Sequence, residues 1–152
     1  MKKALIALLF AAATFTIVSC GDHAKHVALA KQLKTDKSLE GKQIELVGIF
    51  GLHHDLSVNA DSTLSCTIVV GMGDDTETVG FHLNFGRSKN SVFIETKADG
   101  TYTKDKIELY DNNGNKIPAS TIKLKAVPHF STTPRGNKLV YTLDDAIIEK
   151  PE

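Results

Sequence analysis

The sequence predicts a mainly all-β fold preceded by one short helix. Three observations carry this expectation. From Lys42 onward, apolar residues recur at every second position, the period of a strand with one covered face. The alternating runs are separated by clusters of Gly, Asp and Asn, which supply turns. A three-to-four spacing of apolar residues occurs only between residues 22 and 35.

In that segment Ala24, Val27, Ala28, Ala30 and Leu33 form a thin apolar stripe, with Lys25, Lys31 and Lys34 elsewhere. It reads as a short amphipathic helix with Asp22 as N-cap. A tether is the competing description of residues 20–37.

The first strand runs from Gln43 to Phe50. Ile44, Leu46, Gly48 and Phe50 share one face, and Val47 and Ile49 suggest cover on the other. Leu64 to Val70 follows, with Leu64, Cys66, Ile68 and Val70 inward. Gly71-Met72-Gly73-Asp74-Asp75 is a turn. Glu77 to Phe85 returns with Val79, Phe81, Leu83 and Phe85 inward and His82 and Asn84 outward. The two runs read as a hairpin. Ser91 to Thr96 is a short strand or a helical turn. Ile107 to Tyr110 is a short strand, ended by Asp111-Asn112-Asn113-Gly114, whose residues tolerate positive φ. Asn115 to Ile117 pairs back. Thr121 to Val127 alternates Ile122, Leu124 and Ala126 against Lys123 and Lys125. Ser131 to Asn137 is a polar loop. Lys138 to Glu149 is the last strand, with a bulge at Asp144-Asp145, and residues 150–152 form a tail.

The first twenty residues have a different character. Lys2 and Lys3 precede an uncharged apolar stretch from Ala4 to Val18. That stretch is short for a membrane span, which needs about 20 apolar residues, and suits the apolar core of a secretory signal. It ends in Ile17-Val18-Ser19-Cys20-Gly21. This junction resembles the bacterial lipobox, and the Ser-Cys-Gly-Asp run is similar in style to lipoproteins of Bacteroidota. The resemblance implies that residues 1–19 are a signal peptide, that Cys20 is lipidated, and that the mature chain is anchored to a membrane of the cell envelope, facing the periplasm or the cell surface. Without the leader, 16 basic residues stand against 18 acidic ones. A slightly negative chain argues against a polyanionic partner. Once Cys20 is lipidated, Cys66 has no partner for an intrachain disulfide. In an apolar strand it is expected as a small buried hydrophobe.

The strand pattern carries a second resemblance. Leu39-Glu40-Gly41-Lys42-Gln43-Ile44-Glu45-Leu46-Val47-Gly48 is similar to the opening of OB-fold domains, with the 64–85 hairpin as strands two and three and residues 121–127 and 138–148 as the last two. Residues 38–149 look like the tRNA-anti-like OB domains of envelope lipoproteins. The resemblance implies a small five-stranded β-barrel. Gly48 would permit the sharp coil of its first strand. Residues 86–118, which read as added short strands where a plain OB-fold has a helix, leave closure open, and a β-sandwich is the alternative.

OB-folds bind ligands on the strand 2–3 face and with the loops joining strands 1–2 and 4–5. The resemblance therefore implies His53, His54, His82 and Arg135 as candidate ligand-binding residues. A metal site is not expected. Neighbouring histidines in extended chain point to opposite sides, and no His-x-His or His-x3-His spacing occurs. The Asp111–Asn115 segment lacks the ligand pattern of a calcium loop. Nucleic acid is not an expected partner, since the chain has no Trp and no basic groove with stacking aromatics. No Gly-x-Ser-x-Gly motif or nucleophilic set is present. No cofactor is expected. The functional expectation is a non-enzymatic binding or assembly module for an envelope protein, peptide or glycan. The alternative is a metal-dependent periplasmic protein or enzyme using the loop histidines.

Overall fold

The structure is a computed structural model that describes residues 20–53, 58–95, 97–99, 101–134, 136 and 138–152. The signal-peptide assignment of residues 1–19 lies outside them. The elements are helix α1 (Cys20–Thr35), a single 3-10 turn (Lys37–Leu39), and strands β1 (Ile44–Leu52), β2 (Thr63–Met72), β3 (Asp75–Phe85), β4 (Ser91–Ile94), β5 (Ile107–Tyr110), β6 (Lys116–Ile117), β7 (Thr121–Thr132) and β8 (Leu139–Glu149), with a second 3-10 turn at Lys104–Lys106. The all-β fold with an N-terminal helix is the fold observed. All eight strands join one sheet in the order β6-β5-β4-β3-β2-β1-β7-β8. It is a single continuous sheet, not the two stacked sheets of a sandwich.

Strand β1 is shared between two partners. Ile44 to Ile49 pair antiparallel with β7, and Ile49 to Leu52 pair antiparallel with β2. The handover falls beside Gly48. A Cβ there would lie 2.3 Å from the Val69 carbonyl oxygen and 2.9 Å from Ile68 Cγ1. Only glycine lets β2 come this close.

Alternating residues of β1, β2, β3, β7 and β8 bury Leu46, Ile68, Leu83, Ile122, Leu124 and Ile148 in a common core. Full burial of each such side chain contributes roughly 1.5–3 kcal/mol. Helix α1 covers one end of this core with Val27, Ala30 and Leu33. It is therefore part of the fold and not a free tether. Gly71, at φ +96°, makes room for it, since a Cβ there would lie 2.7 Å from Val27 Cγ2. Lys31 reaches Asp75 and Lys34 reaches Glu77. The helix already includes Cys20, so Asp22 is not its N-cap. Asp22 sits in its first turn, where a carboxylate complements the helix dipole.

Three further departures have local causes. Ile49 is 57% exposed, so the outer face of β1 is not covered there. Phe85 is also exposed. Beyond Asn84 the chain leaves β2 for a parallel contact with β4, and Phe85 stacks on Phe93 with ring centroids 5.7 Å apart. Strand β7 continues to Thr132, five residues past its expected end. Pro128 can sit within it because β1 has ended by then, and the flank is met by Gly41, whose N–H donates to the Pro128 carbonyl at 2.9 Å. Residues 86–118, as expected, supply short strands, three of them, that extend the sheet beyond β3.

That excursion returns to β8. The Ile148 N–H donates to Asn90 Oδ1 at 3.1 Å, and the Ile148 carbonyl accepts from the Asn112 N–H at 3.2 Å. The sheet thus curls until its two flanks meet through Asn90 and Asn112. No backbone ladder joins β3 to β8 among the described residues.

Candidate functional site

The seam between β3 and β8 is an open groove. On the β3 side stand Gly80, His82 and Asn84, and on the β8 side Tyr141, Thr142 and Asp144 to Ile147. Leu83 and Leu143 contribute apolar surface. One end, near Asp61, Lys89 and Asn90, has a volume of about 610 Å³. The other, near His53, Ser65 and Cys66, has about 330 Å³. His82 and Leu143 line both, so the two are lengths of one channel. Its volume is in the range of small-ligand sites.

Each lining residue has a local reason for its place. His82 is an outward position of β3, opposite Ser65 of β2. His53 follows the end of β1, where its N–H donates to the Ser65 carbonyl at 3.2 Å. Asp61 forms an Asx turn, its Oδ1 accepting from the Thr63 hydroxyl at 2.6 Å and the Thr63 N–H at 3.1 Å. These bonds hold its carboxyl below the usual carboxylate range. Asp144 and Asp145 stand at the expected bulge. Between Lys125 and Val127 the partner strand skips from Ile147 to Asp144, and Asp145 has φ +51°. The extra residue re-aims both side chains towards the seam.

Tyr141 stands in the β8 wall of the groove, its ring packed against Phe130. Burial raises its phenol pKa, opposed first by the nearby Lys34 ammonium. Cys66 lies buried beneath, its thiol pushed up to about 12 by burial. It is a packing group, as its strand position suggested, and not a thiolate.

The structure brings His53 and His82 to one groove. His54 and Arg135 lie outside the described residues. No group of three or more His, Cys, Asp or Glu side chains is placed to hold a metal ion among the described residues. Asp61, Tyr141, Asp144 and Asp145 were not singled out as site residues from the sequence. The bulge was legible, and a bulge redirects side chains, so the two aspartates carried a usable signal. Asp61 and Tyr141 depend on which flanks meet, which no local pattern reveals.

A second polar constellation adjoins the groove at Asp144. Glu40 accepts the Phe130 N–H at 2.7 Å and meets His129 Nδ1 at 2.9 Å, while His129 Nε2 lies 3.8 Å from Asp144. Glu40 fastens the 3-10 turn to the free flank of β7. The backbone bond and His129 together lower its carboxyl pKa.

No protein-family model, curated protein or solved structure matches the chain. Among the described residues, no helix is long and apolar enough to cross a membrane.

Proposed function

We propose that the chain is a lipoprotein of the bacterial envelope, anchored through Cys20, and that it acts as a non-enzymatic binding module whose ligand lies in the β3–β8 groove. The groove carries this reading. It joins apolar surface from Leu83 and Leu143 to polar groups from both flanks, His82, Asn84, Thr142 and Asp144 among them. An envelope protein, peptide or glycan could meet such a lining with hydrogen bonds and one or two buried apolar groups.

The pairing of the five long strands supports the OB-like description. The order β3-β2-β1-β7-β8, with β1 split between β2 and β7, is what such a barrel requires. In that description the ligand groove uses the seam as well as the strand 2–3 face.

Two measurements test the proposal. The mass of the full chain purified from membranes should correspond to a polypeptide starting at Cys20 plus acyl groups, and Cys20→Ala should abolish the addition. A photo-crosslinking residue at His82 should capture a discrete envelope component in intact cells, whereas one at Lys116, on β6, should not. Equal capture from both positions, or none from His82, would remove the groove from the account.

A further inference from the structure

Cys20, the first described residue, is already within helix α1, and Val27 is packed in the core. Seven residues of helix span only about 10 Å. If Cys20 carries the acyl chains, as proposed above and on which this inference rests, the folded sheet has no long tether and must lie against the bilayer. The placement of the helix then decides which side faces the lipid.

The helix crosses one end of the curled sheet. Its first turns, with Asp22, His23, Lys25 and His26, lie beside Glu45 and Val47 of β1, Lys123 of β7 and the tail residues Pro151 and Glu152. Its last turn lies beside Tyr141 of β8, where Lys34 lines a hollow with Lys138, Leu139 and Val140. In the sheet order, β1 is the middle of the five long strands and the β3–β8 seam is the gap between its ends. The anchor end of α1 is therefore on the side opposite the groove.

That side has a suitable surface. Ile49 stands on the outer face of β1, 57% exposed, in register with Val69 of β2 and Thr121 of β7. Val47, two residues before it on the same face, is in register with Lys123. Lys25 is exposed on the adjoining helix. Apolar groups flanked by lysines suit the boundary between acyl chains and headgroups. Asp22, Glu45 and Glu152 share this side, so the acyl chains supply the affinity and the patch sets the tilt. We infer that the outer face of β1 around Val47 and Ile49, with Lys25 and Lys123, rests on the bilayer surface, and that the β3–β8 groove points away from it.

The chain has no Trp, so one substitution creates a single fluorophore. Full-length Ile49→Trp and Thr142→Trp proteins, expressed in cells and purified with their anchor, would be reconstituted into phosphatidylglycerol–phosphatidylcholine vesicles containing brominated acyl chains. The Ile49→Trp fluorophore should be quenched about twofold or more, as expected for a group at the headgroup–acyl boundary. The Thr142→Trp fluorophore, in the groove, should be unaffected. Equal quenching, or stronger quenching at position 142, overturns the orientation. A spin label on Thr121→Cys gives an independent reading if Ile49→Trp folds poorly, because buried Cys66 does not compete for the label. It should be accessible to oxygen and shielded from aqueous nickel, and the reverse overturns the orientation too. The intact mass, measured first, separates the two claims. An unacylated Cys20 ends the lipoprotein reading and this orientation with it, whereas an acylated chain with the wrong quenching pattern ends the orientation alone.

Discussion

Gly48→Ala is the sharpest test of how the sheet curls. The new methyl would sit 2.3 Å from the Val69 carbonyl oxygen and 2.9 Å from Ile68 Cγ1. The first neighbour is backbone, so no rotamer change relieves it. β1 is also held on its other flank by Lys123 and Ile122 of β7, paired with Val47 and Gly48. Overpacking of this kind costs about 1–3 kcal/mol, and the fixed backbone on both sides puts this site at the upper end. Removing a glycine from the unfolded chain offsets about 0.4–1 kcal/mol. The net loss is about 2 kcal/mol, or roughly 6–8 °C in unfolding midpoint for a domain of this size. Gly80→Ala is the control. It is also a strand glycine, but a Cβ there meets only the Cys66 carbonyl oxygen at 4.0 Å, so its midpoint should hold or rise. Thermal unfolding followed by circular dichroism measures both. An unchanged midpoint for Gly48→Ala, or an equal fall in Gly80→Ala, would refute the close-approach argument.

Three other outcomes are expected. Cys66, its thiol pushed up to about 12 by burial, should resist an aromatic disulfide reagent at pH 8 in a folded Cys20→Ser chain and react at once in denaturant; rapid reaction of the folded chain would contradict its burial. Glu108 accepts from Arg87, Tyr110 and Lys116, with Arg87 first among the causes that lower its pKa from 4.5 to about 2. Its contribution to stability is therefore full above about pH 4.5 and is lost as pH falls through about 2. Urea midpoints of wild type and Glu108→Gln should differ most near neutrality and converge near pH 2. Asn90→Ala should cost about 1–3 kcal/mol by leaving the Ile148 N–H unpaired, with a further cost because Asn90 has φ +48°. Asn90→Gly should recover only the backbone part, and amide exchange at Ile148 should be faster in both.

The strands were legible because their chemistry is local. Alternation of Leu64, Cys66, Ile68 and Val70, or of Ile122, Leu124 and Ala126, follows from the strand period alone, and the structure buries all seven. The bulge at Asp144-Asp145 was legible for the same reason. Less accessible were features set by what a strand meets. Phe85 continues the inward pattern of Val79, Phe81 and Leu83, yet its partner changes at Asn84 and the alternation loses its meaning. Ser91 is fully buried because its hydroxyl accepts from the Ser88 N–H and donates its one proton to the Ser88 carbonyl at 2.6 Å, with the Gly86 carbonyl at 3.0 Å; nothing in its neighbours announces that. The groove was half visible. His53 and His82 fall in it, but its other wall comes from β8, and only the curl of the whole sheet sets the two face to face.

The sharing of β1 between β2 and β7 has a consequence for the order of events during synthesis. Ile44 finds its partner Ala126 about eighty residues later, and Asn90 waits for Ile148, 58 residues on, which also takes the Asn112 N–H. Contacts so distant along the chain form slowly. The 63–85 hairpin can assemble early, but β1 keeps one flank bare until Thr121 to Ala126 have been made, and the curl cannot close until Ile148 has. Until then the chain is a hairpin with loose flanks, open to threading.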